Sequence, residues 1–144
     1  MSSTPVIVGV DGGQDSVRAL RWAAEHARAI DAPLQVVAAY EIPTQFGPYG
    51  MAAWENPTEL EKRAKEVLAD TVREALGSDA SVEQYVVQGH PAEALVDGSA
   101  RAQLLVVGSR GRGGFAGLLL GSVSQHVVAH ARCPVVVMPR NASD

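Results

Sequence analysis

The chain has 144 residues, 47% apolar and 19% charged, which is the balance of an ordinary globular protein and excludes a disordered one. One domain over residues 1–144 is expected, long enough to bury roughly two-thirds of its unfolded surface. A formal charge of -4 argues against a sequence-independent grip on nucleic acid, which needs a basic face to displace counterions.

Arg110 and Arg112 can at most form a local basic patch. The single cysteine, Cys133, rules out an internal disulfide. Followed by a proline and a valine run, it is expected to be a buried structural thiol. No basic residue precedes the first apolar run, which is too short for a signal core, and no run is long enough to cross a bilayer. A cytoplasmic protein without membrane contact is therefore expected.

The first predicted element is a strand, Val6-Ile7-Val8-Gly9-Val10, a nearly continuous apolar run such as a sheet covered on both faces requires. It ends at Asp11-Gly12-Gly13. A helix follows with Asp15 or Ser16 as cap, placing Val17, Leu20, Ala24, Ala27 and Ile30 on its inner face. Leu34 to Tyr40 reads as a second strand. Residues 41–56 break the rhythm with Pro43, Gly47, Pro48 and Gly50 among aromatics, either as a surface excursion packed back on the domain or as a flap over a ligand.

Asn56 and Pro57 suit the start of a second helix and Gly77 its end, with Leu60, Ala64, Val67, Leu68, Thr71 and Ala75 as the buried stripe. Val82 to Gln88 is a third strand. Gly89-His90-Pro91 turns into a short helix with Ala92, Leu95 and Val96 inward. Leu104 to Val107, wholly apolar, is a fourth and central strand. A helix over Ser122–Ala131 and a strand over Val135–Met138 complete the pattern.

Strands alternating with helices at this spacing give an α/β fold, a parallel sheet with helices on both faces. Ligands in such sheets sit at the carboxyl ends of the strands where the winding reverses. Those ends are Asp11 and Gly108.

The second of them opens the most unusual stretch of the chain. Gly108 to Gly117 holds five glycines in ten residues. Residues without side chains let backbone N–H groups approach a polyphosphate and form an anion nest. The loop runs into a helix near Gly121-Ser122, whose N-terminus adds unpaired donors and a positive dipole end. Ser122 and Ser124 add hydroxyls, Arg110 and Arg112 add charge, and the alternative is a solvated flexible loop. No Gly-Lys-Ser/Thr occurs, so the loop is not a P-loop. Gly111-Arg-Gly113-Gly-Phe-Ala116 meets the dinucleotide pattern in letter only, since it follows the wrong strand and lacks an acid about twenty residues on.

A third pattern fits. Gly108, Gly111 and Gly121-Ser122, separated by two and nine residues, resemble the glycine spacing of the ATP-binding branch of the universal stress proteins. Val8-Gly9-Val10-Asp11-Gly12, Gly89-His90-Pro91-Ala92 and the run from Gly121 through Cys133-Pro134-Val135 resemble that family too, so only residues near 41–56 stand outside the likeness. The resemblance implies five parallel strands in the order 3-2-1-4-5. It implies that Asp11, with Gly9 and Val10 before it, binds the adenosine moiety and that the backbone near Ala39 faces the adenine edge.

Gly108, Gly111 and Gly121 would let the backbone wrap ribose and phosphates, with Arg110 alongside and Ser122, Val123 and Ser124 donating to phosphate oxygens. A larger aliphatic residue is common where Ala39 stands, which bears on the tightness of the adenine pocket. The implied ligand is ATP, with or without Mg2+, and cyclic AMP is the alternative because some relatives prefer it.

The resemblance further implies a nucleotide-dependent stress-response regulator, a protein partner, and a homodimer paired through the edge strand 135–138, the alternative being an edge covered by the tail. A slow ATPase or self-phosphorylating enzyme, with Ser122 or Ser124 as acceptor, is the second reading. No catalytic constellation is evident. Asp11 could also simply cap a turn, and His90 could start a helix or line the crevice. His126 and His130 have metal-compatible i, i+4 spacing but no evident third ligand, so a solvated or partly packed helix face is expected.

Overall fold

The structure, a computed structural model, describes residues 4–42, 56–109 and 121–139. Its elements in chain order are β1 (Val6–Gly9), α1 (Gln14–Ala29), β2 (Leu34–Tyr40), α2 (Pro57–Leu76), β3 (Glu83–Gln88), α3 (Pro91–Ser99), β4 (Leu104–Gly108), α4 (Ser122–His130) and β5 (Val135–Met138). The five strands form one sheet in the order β3-β2-β1-β4-β5. Every neighbouring pair is parallel. The α/β architecture and strand order expected from the sequence are those observed.

The continuous apolar runs are explained by burial on both sides. Along β1 and β4, Val6, Val8, Leu104 and Val106 point to one face, where they meet Leu20 and Ala23 of α1 and Leu68 and Val72 of α2. The residues between them, Ile7, Leu105 and Val107, point to the other face and meet Ala92 and Leu95 of α3 and Val127 of α4. Successive strand side chains alternate faces, so a strand with a core above and below must be apolar at every position. Leu20, Leu68 and Leu105 are fully buried, each worth about 1.5–3 kcal/mol relative to exposure.

Several boundaries are set by local chemistry. The Asn56 side chain accepts from the Thr58 N–H at 2.8 Å and Pro57 occupies the first turn of α2, as its sequence signature suggests. Gly77 ends that helix at φ 93, a left-handed conformation that a side chain would strain. At the end of α1, Asp31 takes φ 56. Its N–H donates to Arg28 O, while the Ala32 N–H reaches back to Ala27 O, the double closure of a Schellman motif.

Other expectations need correction. The cap of α1 is Gly13, without a side-chain bond, rather than Asp15 or Ser16. Both lie in the first turn instead, where their side chains are engaged elsewhere. Ala19 and Ala23 share the inner face of α1, whereas Ala24 is half-buried and Ile30 is exposed because it lies past the helix end. In α2, Val72 is buried and Leu60, Val67 and Ala75 only partly so. Cys133 is half-buried rather than buried, in the turn between α4 and β5. Residues 43–55, most of the irregular stretch, lie outside the described residues.

Candidate functional site

Two glycines at the ends of the central strands set how closely the helices approach. A Cβ on Gly108 would lie 2.7 Å from Asp15 Cβ in the first turn of α1, and one on Gly9 would lie 2.7 Å from Leu95 Cδ1 of α3. Gly108 therefore has a packing duty beside any role in wrapping a ligand, and Gly9 likewise. β1 and β4 run side by side with Val8 opposite Val106, so Val10-Asp11 and Gly108-Ser109 leave the sheet as neighbours. Val10 is buried, and its N–H donates to Val37 O at 2.9 Å. Ala39, half-buried near the end of β2, is paired with Val87 of β3.

Asp11 is exposed and built into a turn. Its Oδ1 accepts from the Gly13 N–H at 2.9 Å and from Ser16 Oγ–H at 2.8 Å. Its own N–H donates to Ser16 Oγ at 2.9 Å. Ser16 is buried, so the carboxylate sits on a fixed base at the carboxyl end of the central strand. Asp11 thus caps a turn through Oδ1 at the carboxyl end of β1.

Ser109 is the junction of the site. It is 4% exposed. Its N–H donates to Met138 O at 2.8 Å, and its carbonyl accepts from the Gly121 N–H at 2.7 Å. Its hydroxyl donates to Asp15 Oδ2 at 3.3 Å. The Ser124 hydroxyl, also buried, donates to Gly108 O. These bonds pin together the two described ends of the glycine-rich stretch, residues 108–109 and 121–124. The Ser124 side chain is therefore engaged in holding the loop base.

Arg110, Gly111, Arg112 and the rest of 110–120 lie outside the described residues.

Gly121 is the N-cap of α4. Among the described residues no side chain caps that helix, so the first-turn N–H groups of Ser122, Val123 and Ser124 have no capping acceptor. Ser122 is exposed and Val123 half-buried. Uncapped N–H groups and the positive end of a helix dipole suit an anion. On the far side of the junction, Asp15 forms an ion pair with Arg18, whose guanidinium also donates to Pro139 O at 3.0 Å. The acid beside the loop thus carries its own counter-charge.

His90 starts α3, its Nδ1 accepting from the Ala92 N–H at 3.2 Å. Among the described residues no group of three metal-ligating side chains is present.

The model of the Universal stress protein family matches residues 3–139. The chain belongs to the universal stress protein family. A universal stress protein from Mycolicibacterium smegmatis is 36% identical over 140 residues, covering 92% of this chain and 47% of the relative. The chain thus spans about half the length of that relative. Among solved structures, a universal stress protein in complex with cAMP is 27% identical with a TM-score of 0.72, covering 98% of this chain and 100% of the other. The universal stress protein from Archaeoglobus fulgidus in complex with dAMP is 27% identical with a TM-score of 0.69, covering 95% and 98%.

Sequence reasoning placed Asp11, Gly108, Gly121 and Ser122 of this universal stress protein at one end of the sheet, and the structure brings those ends together. It missed Ser109, Asp15 and Arg18. The available signal was Ser109 itself, a polar residue directly after an apolar central strand. Its partner Asp15 lies 94 positions away, which no local pattern reveals.

Proposed function

We propose that this universal stress protein binds an adenine nucleotide at the carboxyl ends of β1 and β4, with ATP as the principal ligand. The observation that carries the reading is the N-terminus of α4, which no side chain among the described residues caps, fixed against the end of β4 through Ser109 and Ser124. Phosphates would lie on the first-turn N–H groups of Ser122, Val123 and Ser124 and on the glycine loop that includes Arg110 and Gly111. Asp11 would accept from the ribose, and Ala39, with Gly9 and Val10 nearby, would border the base. A family relative crystallised with cAMP and another with dAMP support an adenine ligand. Mg2+ would accompany the phosphates through their own oxygens, since Asp15 is already paired with Arg18.

Binding, rather than turnover, is the activity favoured. Phosphoryl transfer needs a positioned nucleophile and a metal clamp. The Ser124 hydroxyl is buried and donates to Gly108 O, which removes one of the two candidate acceptors. ATP occupancy would favour one conformation of a cytoplasmic dimer, paired through the outer edge of β5, and a partner would read that state in a stress response. Half-buried and apolar, β5 has one neighbour among the described residues, β4. An edge of that kind invites pairing with a second copy.

The test is mass spectrometry of the ligand released from purified protein, followed by incubation with labelled ATP. Release of intact adenine nucleotide, with ATP surviving for hours, supports a binder. Prompt formation of ADP supports the enzyme reading, and recovery of cAMP supports the cyclic-nucleotide reading.

A further inference from the structure

Helix α4 carries a second chemical feature at the end away from the glycine loop. His126 and His130 are separated by one helical turn, so their side chains leave the same face. Both are exposed. Their ring centroids lie 4.5 Å apart with planes tilted by 43°. Neither is among the buried residues of the helix, which are Ser124 and Val127.

Rotation of the two rings about their Cβ–Cγ bonds can bring one nitrogen of each to within about 3 Å of the other. That is the separation of cis ligands on a metal whose bonds to imidazole nitrogen are about 2.0–2.1 Å.

We propose that His126 and His130 form a two-point clip for a divalent transition-metal ion, with water completing the coordination. Imidazole suits Cu2+, Ni2+ and Zn2+, and affinity at a nitrogen site follows the general order that puts Cu2+ highest. Mg2+ and Ca2+, which want oxygen ligands, are not expected there. The clip is thus chemically separate from any cation that accompanies a nucleotide.

Its place on the helix helps. His130 lies in the last turn of α4, where unpaired carbonyls and the negative dipole end favour a cation. A metal bridging one turn also ties residue 126 to residue 130 and opposes fraying of a nine-residue helix. Since that helix begins at the loop junction, the metal would stabilise the folded chain as any ligand of the native state does.

The test is a calorimetric titration of the tag-free full chain, without nucleotide, with Cu2+, Ni2+, Zn2+ and Mg2+ in a non-coordinating buffer. One Cu2+ per chain, tighter than Ni2+ or Zn2+ and with no response to Mg2+, is expected. His126→Asn and His130→Asn should each weaken Cu2+ binding by at least about tenfold, the lower end of what loss of even an outer partner costs a metal site. His26→Asn and His90→Asn should leave it unchanged.

The copper electron paramagnetic resonance spectrum should carry the signature of two imidazole nitrogens and lose it in either of the first two variants. Both positions are exposed, so circular dichroism should show these variants folded. Equal Cu2+ binding by wild type and by the His126→Asn, His130→Asn double variant would overturn the proposal, as would binding lost only on changing His26 or His90.

Discussion

The close approach of α1 to the end of β4 can be tested with one methyl group. In Gly108→Ala the added Cβ would lie 2.7 Å from Asp15 Cβ and 3.3 Å from the Asp15 carbonyl carbon. Neither atom is the free end of a flexible side chain, so the first turn of α1 or the end of β4 must move. Overpacking of this kind costs about 1–3 kcal/mol, and a backbone neighbour places it in the upper part, ~2–3. For a chain of this size each kcal/mol lowers Tm by about 3 °C, so the expected fall is ~6–9 °C.

Gly98→Ala is the internal control. Among the described residues its Cβ would meet only Ile7 Cδ1, at 3.3 Å, and alanine gains about 1 kcal/mol of helix propensity over glycine. That variant should melt at or above the wild-type temperature. Thermal melts followed by circular dichroism decide the matter. A Gly108→Ala protein that melts within ~2 °C of wild type, less than the smallest shift expected, would refute the packing role, and so would equal losses in the two variants.

Ser109→Ala removes one long hydrogen bond to a carboxylate and should cost about 1 kcal/mol of stability. It should weaken ATP more than adenosine in titration, because it loosens the backbone junction assigned to the phosphates. Asp31→Gly relieves a left-handed residue in the Schellman closure of α1 and should raise stability by about 0.5–1 kcal/mol in urea denaturation. Partial burial pushes the Cys133 thiol above its ordinary value. Alkylation by iodoacetamide at neutral pH should therefore be slower than for a free cysteine and rise only at higher pH. The stability linked to the neutral thiol is present below the unfolded pKa and is lost as pH rises through the folded one.

What the sequence revealed follows from how local each determinant is. Val6 to Val10 and Leu104 to Val107 are legible as central strands because burial on both faces forces unbroken apolar runs. Asn56-Pro57 and Gly77 are legible because capping acts within a few residues. The cap of α1 was not, because Asp15 and Ser16 have the right chemistry for a cap but spend it on Ser109 and Asp11. Ile30 keeps the helical spacing of the inner face yet lies past the last turn of α1 and is exposed. The strand ends that lie side by side, after β1 and β4, could be named from the alternating pattern. The Ser109 junction could not, because its contacts join β4 to α1, α4 and the end of β5 across long separations in the chain.

The most direct test of nucleotide binding at the α4 N-terminus is calorimetric titration of ATP into wild type and Gly121→Asp, with circular dichroism to confirm the fold. Gly121 is buried at the N-cap, and an aspartate there sets a side chain and a negative charge where the phosphates would lie. Saturable ATP binding by wild type, abolished in a folded Gly121→Asp protein, is the expected result. Unchanged ATP affinity in that variant, or no ATP binding by wild type, would contradict it.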